Sequence, residues 1–508
     1  MDLAFWDIVA FIAFLTAVIG ISLYASRKED NSEDYFLAGR SLFWWLIGFS
    51  LIASNISSEH FVGMAGQGFG AVGLAVASYE WVAAVTLVVV ALFLLPLFLK
   101  LGIYTMPEFL EHRYGSAARV LMAIYMMVAY VGVAIAAVLY SGAIGLQTIF
   151  EMDLVTGIWL IGILAGAYTI YGGLKAVVWS DLLQGGALLI GGVIVTVIGF
   201  SKVGGVGAFM TENADKLHMV LPADHPEIPW TALLLGIWIP NFFYWGFNQF
   251  ITQRTLGAKT LAHGQNGIVF AAFLKLLIPF IIVFPGIMAF QLYQGQIADA
   301  DQAYPMLIRD LLPVGLRGIL FAALFGAVMS SLDSMLNSAS TIFTMDIYKR
   351  HLRPDADPKK IVKIGRIVTV VFVVAGCLMA PLPAQVEGVF EYIQKFWGFL
   401  SPGIVAVFLF GLIVRRAPLS AAMAAMLLGV PIYGLLLWFL PNVAFLNHMA
   451  ITFVVLIIVM TILTVWRPLP APVRFDVQPA IDLTPSPLAK WCGGAVVVLT
   501  VVLYVVFW

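Results

Sequence analysis

Apolar stretches of about 20 residues recur along this chain some fourteen times, and that recurrence constrains its fold more than any other feature. A bilayer core of roughly 30 Å is crossed by about 20 mostly apolar residues in a helix. Backbone polar groups find no partner in hydrocarbon, so each such stretch must satisfy its own, which favours helices. Composition agrees with a membrane setting: of 508 residues, 62% are hydrophobic, only 11% are charged, and the mean hydropathy is +0.98. A soluble globular domain is thereby excluded. The expected fold is all-α and polytopic, with about 14 transmembrane helices; the spans used below are 43–65 (second), 74–99 (third), 155–171 (fifth), 180–201 (sixth), 230–250 (seventh), 265–292 (eighth), 314–345 (ninth) and 388–413 (eleventh). The first, 5–24, follows Asp2 and lacks a basic leader and a small-residue cleavage site, so it reads as a retained helix. The longest loops, 202–229, 293–313 and 467–486, are too short to fold alone.

A net charge of −1 gives no electrostatic reason to expect nucleic acid as a partner. The informative feature is where the cations fall. If the segment before Phe5 is outside, twenty-one of the 27 lysines and arginines lie on inside loops or adjoining span ends, among them Arg27, Lys28, Arg40, Arg113, Arg119 and Arg254. Only Lys202, Lys216, Arg309 and Arg317 fall outside, while Lys275 and Lys395 stand within spans. That bias supports fourteen helices with both termini periplasmic, and the expected location is a bacterial inner membrane. Cys377 and Cys492 both fall in apolar segments and read as core residues.

Channels, membrane enzymes and carriers can all have this many spans. Polar interruptions at matching places in two halves point to carriers. In the second span, Ala53-Ser54-Asn55-Ile56-Ser57-Ser58-Glu59-His60 sets small, hydrogen-bonding residues at membrane depth; in the seventh, Pro240-Asn241 precede Phe242-Phe243-Tyr244-Trp245 and Gly246. Pro and Gly both favour a broken helix. The two breaks lie five spans apart, so repeats of five spans would insert in opposite orientations, the inverted-repeat plan of LeuT-type transporters. The predicted layout is an extra helix and loop over 1–42, a first repeat over 43–201, a loop over 202–229, a second repeat over 230–413, and three further helices over 414–508.

Along the ninth span Ser330, Asp333, Ser334, Asn337, Ser338 and Thr341 recur at helical spacing. Such a face serves either interhelical packing or a hard cation such as sodium, which takes hydroxyls together with carbonyls freed by an unwound helix. A site for a polar solute combines amide or charged groups for hydrogen bonds with aromatic faces for packing. Asn55 and His60, Glu80 in the third span, Asn241 and Tyr244, Lys275 in the eighth and Gln394 in the eleventh offer both. Charges inside spans are costly, so Glu80 and Lys275 read as functional.

Five long stretches carry a family resemblance: SEDYFLAGRSLFWWLIGFSLIASNISSEHFVGMAG from Ser32, YGGLKAVVWSDLLQ from Tyr171, NFFYWGFNQFITQRTLGAK from Asn241, MSSLDSMLNSASTIFTMDIYKR from Met329 and FEYIQKFWGFLSPGIVAVFL from Phe390. Together they resemble the sodium:solute symporter family, and within it the sodium/glucose and sodium/galactose cotransporters. The resemblance implies sodium-coupled symport of a hexose-like sugar, with an inositol or amino sugar as the alternative. It implies a sodium ion held by backbone oxygens of Ala53, Ile56 and Ala327 and the hydroxyls of Ser330 and Ser331. The seven polar residues above would face the sugar, with Tyr244 stacking on its ring. Asp181 matches an acidic residue that the family associates with cation coupling. Asp333 and Asp181 would form a second cation site, or Asp333 would exchange a proton; the other reading is that Asp333 partners a nearby cation or hydroxyl. A carboxylate substrate would be repelled by Glu80. With no Gly-rich phosphate loop, no His/Cys metal cluster and no output domain, an enzyme is not expected, nor is an obligatory protein partner evident.

Overall fold

In a computed structural model of the chain, residues 4–25, 31–57, 60–150, 152–297, 300–382, 389–475 and 481–508 are described. Eleven helices among them are long and apolar enough to cross a membrane, and two shorter apolar helices, Leu154–Ala167 and Ala232–Phe247, accompany them. The second span is in two pieces. Helix Trp44–Asn55 ends at Ile56, whose backbone is extended (φ −76°, ψ 103°), and helical turns resume over His60–Met64 and Ala65–Phe69. Ser58 and Glu59 of the predicted break lie outside the described residues, as do Arg27 and Lys28.

The seventh span is also interrupted, but not where Pro240 suggests. Pro240 sits inside helix Trp238–Phe242 just after a wide turn, Ala232–Gly236, which accommodates the proline ring without ending the helix. Phe243–Phe247 continue as a second wide turn, and the chain opens only at Asn248 (φ −86°, ψ 122°) before helix Gln249–Leu256. The predicted fifth and sixth spans meet within the run Leu154–Lys202, sharply kinked at Gly173 (φ 49°, ψ −149°). Only glycine takes that conformation readily. Gly173→Ala should therefore cost about 1–3 kcal/mol, read as a lower unfolding temperature of the detergent-purified protein.

Close backbone contacts hold the interrupted second span against its neighbours. A Cβ on Gly286 of the eighth span would lie 2.1 Å from the Ala65 carbonyl oxygen, and one on Gly185 of the sixth would lie 2.6 Å from the Ala53 Cβ. Small residues thus let helices approach where there is little hydrophobic force to press them together. The first helix, Phe5–Ala25, is tied to the ninth span: buried Asp7 accepts from the N–H groups of Gly315 (2.6 Å) and Gly318 (3.1 Å), capping helix Leu316–Ile342.

One expectation needs correcting. Cys492 is exposed, unlike Cys377, because the last helix buries only the stripe Ala489, Gly493, Val496 and Thr500, and Cys492 lies off it. Arg40, Arg113, Arg119 and Arg254, among the cations placed on inside loops or adjoining span ends, are buried. Arg113 shows why: its guanidinium donates to the carbonyls of Gly411 (2.7 Å), Val414 (2.7 Å) and Ala417 (3.1 Å), satisfying the end of helix Val389–Ile413.

Candidate functional site

Because helix Trp44–Asn55 stops short, its last carbonyls have no following turn to bond to. The hydroxyl of Ser331 comes to this turn and donates to the Ser54 carbonyl at 3.4 Å. Ala53, Ile56, Ala327, Ser330 and Ser331 are all buried, and Ala327 precedes the two serines by one turn of the same helix. The Ser330 hydroxyl donates to Asp181 Oδ1 at 2.5 Å. A hydroxyl has one proton to give and two acceptor sites, so its oxygen can still accept.

Asp181 is the hub of a buried polar knot. Its Oδ2 accepts from Ser50 (2.5 Å) and Ser54 (3.0 Å) and lies 3.4 Å from a guanidinium nitrogen of Arg254. Arg254 in turn donates to Ser50 (2.6 Å), Ser54, Ser334 and the Phe250 carbonyl. Asp333 takes a different partner, Thr169, whose hydroxyl is 2.8 Å from Asp333 Oδ1 and 2.9 Å from the Ala165 carbonyl. The hydroxyl face of the ninth span is therefore divided. Ser330 and Ser334 join the Arg254 knot, Ser331 meets the broken helix, and Ser338 donates to Gln253 Oε1 at 2.8 Å as a packing contact.

Beside this corner lies a cavity of about 100 Å³. All seven residues read from the sequence as sugar ligands line it: Asn55, His60, Glu80, Asn241, Tyr244, Lys275 and Gln394. Ser54 and Ser331 line it too, so it borders the predicted ion site. Lys275 is central, with its ammonium bonded to Glu80 Oε2 and to Asn55 Oδ1 and 5.0 Å from the centre of the Trp245 ring. His60 Nε2 stands 3.6 Å from Glu80 Oε1. Asn55 Nδ2 donates to the Tyr244 hydroxyl at 3.1 Å, linking the two interrupted helices across the cavity, and Asn241 Nδ2 donates to the Ile237 carbonyl at 2.8 Å. Charge pairs, amides and aromatic faces in one partly enclosed space suit a neutral polyhydroxy ligand, which can exchange hydrogen bonds with each.

Sequence reading missed Arg254, Thr169, Trp245 and Trp397. The aromatic pair lines the cavity, and Trp397 also packs on Phe243 at 5.3 Å between ring centres. Arg254 could have been found from its neighbours, since Asn248, Gln249, Thr252 and Gln253 give this stretch a polarity unlike that of a loop-ending span. Arg254→Gln removes the guanidinium facing Asp181 inside the protein, which should cost about 3–5 kcal/mol; the yield of monodisperse protein on gel filtration, expected to fall several-fold, checks this.

The chain matches the family model described as the sodium:solute symporter family over residues 35–429. It is 41% identical to the sodium/glucose cotransporter of Vibrio parahaemolyticus, an alignment covering 100% of this chain and 99% of that one. It is 35% identical to sodium/myo-inositol cotransporter 2 of Oryctolagus cuniculus, covering 84% of this chain and 68% of the relative. Its fold superposes on a solved sodium-coupled sialic acid symporter with a TM-score of 0.83 at 24% identity, covering 94% of this chain and 100% of that one.

Proposed function

The chain belongs to the sodium:solute symporter family, and from that premise we propose that it carries a hexose-like sugar of the glucose or galactose type together with sodium, by alternating access. As a member it is a multi-pass membrane transporter, not an enzyme, and sodium is its co-transported ion rather than a resident cofactor. The observation that carries the sugar reading is the cavity, where Glu80, Lys275, Asn55, Gln394 and aromatic faces surround one space. The full-length likeness to a sodium/glucose cotransporter supports it. A cyclic polyol such as inositol is the second reading, favoured by the likeness to a sodium/myo-inositol cotransporter, because a ring of hydroxyls meets the same groups.

In this proposal the repeats run over 43–201 and 230–413, both termini are periplasmic, and the basic ends of the spans are cytoplasmic. Sodium takes the oxygens of Ala53, Ile56, Ala327, Ser330 and Ser331, next to the solute. Sodium entry supplies about 2.3 kcal/mol per charge for each 100 mV of membrane potential, to which its concentration gradient adds. Proteoliposomes holding the protein should accumulate labelled glucose or galactose against a gradient when sodium is outside, and should lose that accumulation when choline replaces sodium. Uptake of myo-inositol alone would favour the second reading. Sodium-independent equilibration of every sugar tested would overturn both.

Asp181 and Asp333 belong to ion coupling in this proposal. The ratio of sodium and proton flux to sugar flux should change in Asp333→Ala. One sodium per sugar with no proton flux, identical in the variant, would remove Asp333 from coupling.

A further inference from the structure

Helix Pro487–Val506 lies beyond residues 35–429, the stretch matched by the family model, yet it packs directly behind the solute cavity. It rests on the third and eighth spans: a Cβ on Gly493 would lie 2.9 Å from Val88 Cγ1 and 3.9 Å from Val269 Cγ2. Tyr504 and Phe507 continue its stripe of Ala489, Gly493, Val496 and Thr500 at the same spacing of three to four residues. These two side chains reach the third span at the turn that carries Glu80. The Tyr504 hydroxyl donates to Ser78 Oγ at 3.0 Å, and the rings of Tyr504 and Phe507 lie 5.9 and 6.1 Å from that of Trp81, centre to centre. Fully buried Trp81 follows Glu80 in the chain but stands behind the cavity rather than in its lining. Its indole N–H donates to the Leu276 carbonyl at 3.3 Å, and its ring packs on Phe280 at 6.2 Å. Glu80 and Lys275 thus pair on the cavity side, while their chain neighbours Trp81 and Leu276 pair behind them.

Neither span holds that register by itself. Inside the eighth, Pro279 has no N–H to give to the Lys275 carbonyl one turn back. In the third, the regular helix begins only at Ser78, after tighter turns over Gly73–Ala77, so Glu80 stands in its first turn. Phe507 is itself fixed from the other side, since its carbonyl accepts from the Met219 N–H at 2.8 Å and its ring lies 6.1 Å from that of Phe284. We propose that Tyr504 and Phe507 are positioning residues for the solute: through Ser78 and Trp81 they hold Glu80 and Lys275 where the solute's hydroxyls meet them. The last helix thereby sets solute affinity without touching the solute. This rests on the sugar reading of the cavity. The ion corner is built from the second and ninth spans, which these contacts do not reach, so sodium dependence is left as it is.

Initial sodium-driven uptake per folded protein provides the first test. Phe507→Ala should raise the half-saturating sugar concentration about fivefold, the worth of one aromatic pair. Tyr504→Phe, which removes only a hydroxyl, should raise it about threefold. At saturating sugar, the maximal rate and the sodium concentration for half-maximal uptake should stay within about twofold of the parent in both variants. Phe507→Tyr, which keeps the ring, should bring the sugar dependence back to within about twofold. An unchanged sugar dependence beside a lower yield or maximal rate, or equal shifts in sugar and sodium dependence, would overturn the proposal. Thermal unfolding of the purified protein gives a readout that requires no solute. The drop in unfolding temperature caused by Phe507→Ala should be at most about half as large in Glu80→Gln with Lys275→Met as in the parent, since groups in one network couple and independent ones add. Equal drops in the two backgrounds would overturn the positioning role. Absence of glucose, galactose and inositol uptake in the parent would count against the proposed solute class, leaving the unfolding comparison to judge the role of the last helix.

Discussion

Lys275→Met should lower sodium-driven sugar uptake per folded protein by about 100-fold or more. Its ammonium is shared between Glu80 and Asn55, faces Trp245 and lies within a span. Removing it leaves the Glu80 carboxylate with His60 at 3.6 Å as its remaining ion-pair neighbour among the described residues and frees Asn55 Oδ1 from its cation. Removing one partner of a buried pair costs about 3–5 kcal/mol, and each 1.4 kcal/mol is a factor of ten. Gel filtration separates loss of protein from loss of transport. Adding Glu80→Gln should restore the yield of folded protein, since no lone charge remains, without restoring uptake, because the groups that grip the solute are gone. Uptake within threefold of the parent in Lys275→Met would place the solute elsewhere.

The double substitution Ser330→Ala with Ser331→Ala should raise the sodium concentration for half-maximal uptake by about tenfold or more, since each interaction with a charged group is worth about 1.5–3 kcal/mol. The contrast is Ser338→Ala, two turns along the same buried face, whose hydroxyl is taken by Gln253 Oε1. That change should leave the sodium dependence within about twofold. Titrating initial uptake against sodium for the three proteins checks both outcomes. Equal shifts for the double variant and for Ser338→Ala would mean that the hydroxyls act in packing alone.

The grouping of the cavity's polar residues was legible because a charge or amide at membrane depth is costly unless it is used. Asn55, His60, Glu80, Asn241, Tyr244, Lys275 and Gln394 come from five different spans, yet they share one space. The second-span break was legible for a related reason, as Ser54, Asn55 and Ser57 crowd one turn with groups that compete for the backbone. The seventh-span break was placed too early because a proline is a strong local signal, and the wide turn ahead of Pro240 that absorbs it leaves no mark in the sequence. The burial of Arg254 was not legible because a cation near a span end reads as a topology signal; its partners Asp181, Ser50, Ser54 and Ser334 are all distant in sequence. The pairing of the carboxylates was illegible for a geometric reason. Helical spacing puts Ser330 and Asp333 on neighbouring positions of one helix, but which neighbour each meets depends on how the helices pack. Asp181 faces Ser330, while Asp333 faces Thr169.

In the proposed mechanism one stretch of main chain, Ala53 to Ile56, where the second span is interrupted, serves the ion on one side while Asn55, which lines the cavity, serves the solute on the other. Binding must then be reciprocal, because a coupling free energy acts equally on both ligands. The direct measurement is calorimetric titration of purified protein with glucose or galactose at low and saturating sodium, and with sodium at zero and saturating sugar. The predicted result is that sodium tightens sugar binding by about tenfold or more and sugar tightens sodium binding by the same factor. Sugar and sodium affinities that are each indifferent to the other ligand would contradict it.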